Sequence, residues 1–377
     1  MNKNIFLPDY EKSILALSAS LLKKYRVPDY HATLKDLDEK LAAYQNIVLI
    51  IFDCMGMNIL EHHLDENSFL RRHLTSVISS VFPPSTAIAT TSIHSGLSPK
   101  EHGWMGWMLD FKEHNHIVEV FRDKDFYTKE TVAFKPSREV LKYTPIYEKI
   151  VRQNPDVHFT KIFPAWAQGG ALSIEHMCER IARALTTHDK NLILAYWDDP
   201  DHTIHSNGCY STAVHVVMSD IEMQIQKLAQ QLDNDTLVII TADHGAVDIQ
   251  EIYLNDIEGF QECLKRPPSL ESRIVSFFVK DDKKEAFKNL FLKHFKDDFL
   301  LLTHDEYLNG PLLGPGRAHP KTADFIGDFI AIATGKRALR FYTTCKEQFS
   351  VHKADHAGIT PNEMRVPLIL IEKGERK

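Results

Sequence analysis

Residues 46–56 read NIVLIIFDCMG: six apolar side chains in a row, then Asp53 and, three positions on, Gly56. A run this short and unbroken, rich in β-branched residues, fits a strand buried on both faces. Similar runs recur at 157–163 (VHFTKIF), 191–198 (NLILAYWD), 235–243 (DTLVIITAD) and 366–372 (VPLILIE). Helical patterns lie between them, chiefly at 173–187 and 209–232. This alternation predicts an α/β fold whose parallel sheet carries helices on both faces. Over 257–320 the pattern changes to SRIVSFFVK, KKEAFKNLFLKHF and FLLLTHDEYL, with a Gly/Pro-rich exit. That stretch is expected to form a small α+β insertion capping a core built from 1–256 and 321–377.

Three of the strand-like runs end in acids, at Asp53, Asp198-Asp199 and Asp243. Ligands of open α/β sheets bind outside the carboxyl ends of the strands. A single strand-end Asp is ordinary turn chemistry, but these acids have company. In AYWDDPDHTIHSNG (195–208), Asp201 and His205 stand at i and i+4, one face of a helical turn, where both can grip one ion. Asp198, Asp199 and His202 compete with them. TADHGAVD (241–248) places Asp243 and His244 at a strand end before Gly245, and ADHAGITPNEMRVPLILI (354–371) puts His356 in the loop before the last strand. The chain has 20 histidines, so a lone one means little, and His304, His319 and His352 are rivals of His356. None of the three motifs contains cysteine, which argues against a structural Cys-zinc site. The Asp/His set instead favours a catalytic divalent metal, zinc or manganese.

The stretch FPPSTAIATTSIHSGLSPKEHG (82–103) sets Ser85 and Thr86 where a helix begins. Either hydroxyl could cap that helix or act as a nucleophile. Trp104 and Trp107 follow closely, as stacking surfaces for a base or aryl group or as packing for a lid.

Bulk composition narrows the partners. The 377 residues carry a net charge of −7 with acids and bases interspersed, so no nucleic-acid polymer is expected, whereas a small phosphorylated substrate fits. The N-terminal stretch lacks the layout of a secretory signal, and Ile14, Leu15, Leu17, Leu21 and Leu22 read as an amphipathic helix. No run of about 18 uncharged apolar residues suggests a membrane span. Five cysteines (Cys54, Cys178, Cys209, Cys263 and Cys345), scattered and without a CxxC, fit free thiols and a cytoplasmic location. Nothing in the sequence marks an oligomeric state.

The motifs together resemble the type I phosphodiesterase/nucleotide pyrophosphatase family of the alkaline phosphatase superfamily. The matching residues are Asp53; Phe82, Pro83 and Thr86; Gly96, ten residues after Thr86; His102-Gly103, six further on; Pro200, Asp201, His205 and Gly208; Asp243-His244-Gly245; and His356. The resemblance implies a three-layer α/β/α alkaline-phosphatase-like fold and a metal-dependent phosphohydrolase with two divalent cations. Asp201, His205 and His356 would hold one cation, and Asp53, Asp243, His244 and the Thr86 oxygen the other. Thr86 rather than Ser85 would be the nucleophile, forming a phosphorylated or nucleotidylated intermediate. Two positions depart from the family: Ala89 stands where Asn is usual, which bears on nucleotide specificity, and Ala357 where Gly is common. Alternatives on the same scaffold are a phosphomonoesterase, a phosphonate hydrolase, a phosphomutase or a non-catalytic sensor of phosphorylated ligands. A sulfatase is disfavoured, because that branch uses a modified Cys or Ser in a Cys/Ser-x-Pro-x-Arg context.

Overall fold

Six strands make the central sheet of the computed structural model, which describes residues 4–28, 31–344 and 351–373. They are β1 (Asn46–Phe52), β2 (Leu74–Ser79), β3 (His158–Ile162), β4 (Asn191–Trp197), β5 (Thr236–Thr241) and β6 (Arg365–Glu372). Across the sheet the order is β2-β6-β5-β1-β4-β3. Strands β5, β1, β4 and β3 run parallel, and every residue of β1 and β5 is buried, as unbroken apolar runs require.

β6 departs from the expected direction: it pairs antiparallel with both β5 and β2. The chain enters it straight from the loop carrying His356, with only the short helix Pro361–Met364 between. That loop packs His356 on His244 at the carboxyl end of β5, so the chain enters β6 from that end and runs back through the sheet the other way. β2, half-buried at the sheet edge, carries too little apolar periodicity to be read from sequence.

Helices fall into two groups flanking the sheet. One contains Ile14–Lys24, Thr86–Ser95 and Ile146–Gln153, and the other Met57–His63, Ile174–Leu185 and Thr212–Ala229. The leading helix is not amphipathic in place, since every residue from Ile14 to Leu22 is buried. Its serines find internal partners: Ser18 donates to the Ile93 carbonyl at 2.8 Å, and Ser20 accepts from the Leu34 amide at 2.9 Å. It therefore braces the helix that begins at Thr86.

A second, antiparallel sheet has seven strands in the order Phe299–Thr303, Phe329–Ala333, Ile274–Phe277, Ser269–Leu270, Met108–Phe111, His116–Glu119 and Lys124–Asp125. Buried Phe260, Phe277, Phe287, Phe291 and Phe295 form its own core. Residues 257–320 supply three of these strands and the helix Lys284–Phe295; the remaining strands come from outside those bounds. Among the described residues no helix is long and apolar enough to cross a membrane. Cys54, Cys178, Cys209 and Cys263 are free and buried, and Cys345 lies outside the described residues.

Candidate active site

Asp53 follows β1, Asp243-His244 follow β5, and the turns beyond them meet backbone to backbone. A Cβ on Gly56 would lie 2.5 Å from the Gly245 Cα, so only glycine permits this approach. The contact draws two strand ends together, and Asp53, Asp243 and His244 place ligand-type atoms within 4.8 Å of one another. All three are buried.

Asp201 and His205 lie on the short helix Asp201–Asn207, as their spacing predicts. His356 joins them from the loop before β6, and this second trio also lies within 4.8 Å. The competitors are otherwise engaged. Asp198 accepts from the Trp166 indole at 2.9 Å, Asp199 accepts from Thr203 Oγ1 at 2.8 Å, and His202 is exposed. His304 binds the Ile326 carbonyl and His319 packs on Gly103, both outside the two trios. His352 lies closer, its ring 4.4 Å from that of His205.

Thr86 opens the helix Thr86–Ser95, which Gly96 closes at φ +69°. Thr86 Oγ1 lies 3.3 Å from Asp53 Oδ2 and 3.1 Å from His244 Nε2. Ser85 occupies the N-cap position yet makes no side-chain cap; its hydroxyl donates to Glu271 Oε1 at 2.5 Å. The two neighbouring hydroxyls thus face different chemistry. At the departures from the family pattern, Ala89 is fully buried and Thr90 Oγ1 donates to the Thr86 carbonyl, which occupies its proton. Ala357 takes φ +85°, a left-handed conformation that explains why glycine is common there. Trp104 is buried with its indole N–H on the Leu141 carbonyl, so it packs the loop. Trp107 is half-buried, edge-on to Phe121 and covered by Arg122.

Three groups around the two trios were not among the expected site residues: Tyr196, Glu271 and Asp355. The Tyr196 hydroxyl donates to Asp53 Oδ2. Asp355 accepts from Ser272 Oγ at 2.6 Å and from Arg340 at 3.3 Å. Tyr196 and Asp355 lie within the stretches 195–208 and 354–371, whereas Glu271 lies outside all three metal-type motifs.

The donor chemistry fits divalent cations. His205 Nδ1 lies 2.8 Å from the Ala354 carbonyl and His244 Nδ1 3.1 Å from the Gly245 carbonyl. Each nitrogen donates its proton there, which turns Nε2 toward the carboxylates. Asp201 Oδ1 and Asp243 Oδ2 are buried and face imidazoles, at 3.3 Å from His205 Nε2 and 3.5 Å from His244 Nε2. Burial, then the charges of Asp243 and Asp201, push the Asp53 carboxyl well above its ordinary value. Burial likewise raises Asp243 to about 6. Burial opposes protonation of His205, yet the charge and hydrogen bond of Asp201 raise it to about 10, a proton that a bound cation would displace. Burial lowers His244 to about 4 and His356 to about 3, keeping both neutral as ligands must be.

A family model described as type I phosphodiesterase / nucleotide pyrophosphatase matches residues 47–357. Human ectonucleotide pyrophosphatase/phosphodiesterase family member 5 is 32% identical over 242 residues, which is 57% of this chain and 48% of the relative. The chain therefore spans about half the length of that curated relative. Among solved structures, murine ectonucleotide pyrophosphatase/phosphodiesterase 5 superposes with a TM-score of 0.63 at 18% identity, covering 86% of this chain and 87% of the other. An inactive threonine-to-alanine form of that murine protein, in complex with AMP, matches equally well. Phosphonoacetate hydrolase from Sinorhizobium meliloti 1021, in complex with phosphonoformate, gives 0.62 at 13% identity, covering 89% and 92%. These likenesses show the alkaline-phosphatase-like fold. With more than three hundred consecutive residues matching the family model, this chain belongs to the type I phosphodiesterase/nucleotide pyrophosphatase family.

Proposed function

We propose that the chain hydrolyses phosphoric ester or phosphoanhydride bonds of small phosphorylated substrates, as a phosphodiesterase or nucleotide pyrophosphatase with Thr86 as nucleophile. The observation that carries this reading is the placement of Thr86 Oγ1 against Asp53 and His244, beside a second trio in which Asp201 Oδ1 lies 3.3 Å from His205 Nε2 and 3.8 Å from His356 Nε2. Asp201, His205 and His356 would hold one divalent cation, zinc or manganese, and Asp53, Asp243, His244 and Thr86 the other. Two such cations supply Lewis-acid stabilisation of the attacking and leaving oxygens.

The chain's own residues do the rest. Asp53 and His244 hold the Thr86 oxygen, and Tyr196 fixes the Asp53 carboxylate through its hydroxyl. The helix beginning at Thr86 turns its positive end and first-turn amides toward an incoming phosphoryl group. Attack breaks the Thr86 O–H bond and forms the O–P bond, while the leaving-group oxygen departs with the P–O electron pair and takes up the released proton through solvent. Water then cleaves the phosphothreonine ester, returning the alcohol and releasing the product acid. The solved complex of the inactive threonine-to-alanine murine relative with AMP supports a nucleotide-type ligand and a threonine in that role.

Phosphonate or monoester hydrolysis is the second reading. Ala89 at the position where the family usually has Asn, and the fold shared with phosphonoacetate hydrolase, favour it. A cytoplasmic location is supported by the four described cysteines, all free. A panel of nitrophenyl phosphate monoesters and diesters with added zinc or manganese tests the assignment. Diester turnover that a chelator abolishes is the expected result. Bound metal without turnover of any ester would make the chain a sensor.

A further inference from the structure

Two of the three histidines in the trios are steered by backbone: their Nδ1 atoms meet the Ala354 and Gly245 carbonyls. His356 has no such carbonyl. Its Nδ1 is buried without a hydrogen-bond partner, and the group facing it, at 4.0 Å, is Glu271 Oε2. Glu271 belongs to the other sheet, in the turn between Ser269–Leu270 and Ile274–Phe277, and is itself buried. Its other oxygen, Oε1, gathers the Ser85 hydroxyl at 2.5 Å and the Trp107 amide at 2.9 Å. One carboxylate thus has one oxygen fastened beside Thr86 and the second aimed at a candidate ligand of the opposite trio.

We propose that Glu271 is a positioning residue: its Oε2 accepts the Nδ1 proton of His356 and so presents His356 Nε2 to the cation held with Asp201 and His205. The inference rests on the metal reading given above. A carboxylate behind a ligating imidazole fixes its tautomer and raises its basicity, and losing one typically weakens metal binding by about 10–100-fold. The same side chain ties the antiparallel sheet to the nucleophile corner, so that the His356 loop and the Thr86 helix keep one spacing.

Glu271→Gln separates this role from space-filling. Its amide oxygen can still accept from Ser85 and Trp107, but its NH2 would then face His356 Nδ1 as a second donor. Zinc affinity measured by competition with a chromophoric chelator should fall about 10–100-fold at one of two sites in Glu271→Gln, and remain unchanged in Ser85→Ala. Burial raises Glu271 to about 8, so the comparison is made above that pH, where long-range proton–nitrogen spectra of the metal-free protein should show His356 protonated on Nδ1 in wild type and on Nε2 in Glu271→Gln. Unchanged affinity and an unchanged tautomer in a folded variant would overturn the proposal. A wild type that binds no zinc would instead overturn the metal reading, while the tautomer measurement still decides whether Glu271 orients His356.

Discussion

Thr86 and Ser85 are adjacent hydroxyls whose surroundings assign them different work. Thr86→Ala should lower diester kcat by about 100-fold or more, ~2.7 kcal/mol of barrier, while Ser85→Ala stays within a few-fold of wild type. Substantial turnover by purified Thr86→Ala would move the nucleophile elsewhere. Trp107→Ala should reduce hydrolysis of nucleotide esters more than of alkyl esters; equal losses would leave the indole only a packing role. At Ala357 the positive φ makes glycine the better residue, so Ala357→Gly should raise the urea midpoint, by roughly 1 kcal/mol of stability. Among the candidate ligands, Asp53, Asp243 and His244 stand at strand ends and Asp201 and His205 at helical spacing, where residue type and interval carry information, whereas the roles of Thr86 and the loop residue His356 follow from the family resemblance. Glu271 was not legible, because SLESRIV reads as an ordinary turn and its partners, Ser85, Trp107 and His356, lie far away in sequence.

At the scale of elements, the loop that presents His356 is held by one buried ion pair. Arg273 Nε meets Glu363 Oε1 at 2.6 Å, and Glu363 also accepts from the Gly358 amide at 2.7 Å and from Thr360 Oγ1 at 2.6 Å. Arg273→Met leaves that carboxylate buried without its cation and should cost roughly 3–5 kcal/mol in denaturant unfolding. Adding Glu363→Leu should fail to restore wild-type stability, since the Gly358 and Thr360 donors would then lose their acceptor. The strands β1, β4 and β5 could be located from sequence because burial on both faces writes an unbroken apolar run, whereas the edge strand β3 interleaves exposed His158 and Lys161 with Phe159 and Ile162. The direction of β6 could not be read that way, since composition is the same either way and only the connection decides it. Of the antiparallel sheet only the strands within 257–320 were expected, because the others are short and come from two further stretches of chain.

Across the whole molecule, buried imidazoles set an acid limit. Burial holds His94 at about 4 and His102 at about 3, where His102 Nδ1 accepts from the Trp104 amide and Nε2 meets Ser92 Oγ. Unfolded histidine titrates near ~6.5, so the unfolded chain binds more protons below that pH. The stability is fully present above pH ~6.5 and falls as pH drops toward the folded values, by up to about 1.4 kcal/mol per pH unit for each group. His102→Asn should flatten the decline in urea midpoint between pH 7 and pH 5. Divalent cation acts the other way. With Asp53, Asp201 and Asp243 crowded together, zinc should raise Tm and a chelator lower it again, as binding to the folded chain alone demands.

The antiparallel course of β6 also has a consequence for biosynthesis. All seven candidate ligands are synthesised before Arg365, six of them by His244, yet β2 and β5 then still present unsatisfied backbone edges on either side of a gap. The nascent domain must keep that slot open until its final strand slides in between two partners made much earlier. A message truncated just before this strand would therefore yield a chain holding every reactive group and two sticky sheet edges, prone to clump rather than to turn over substrate.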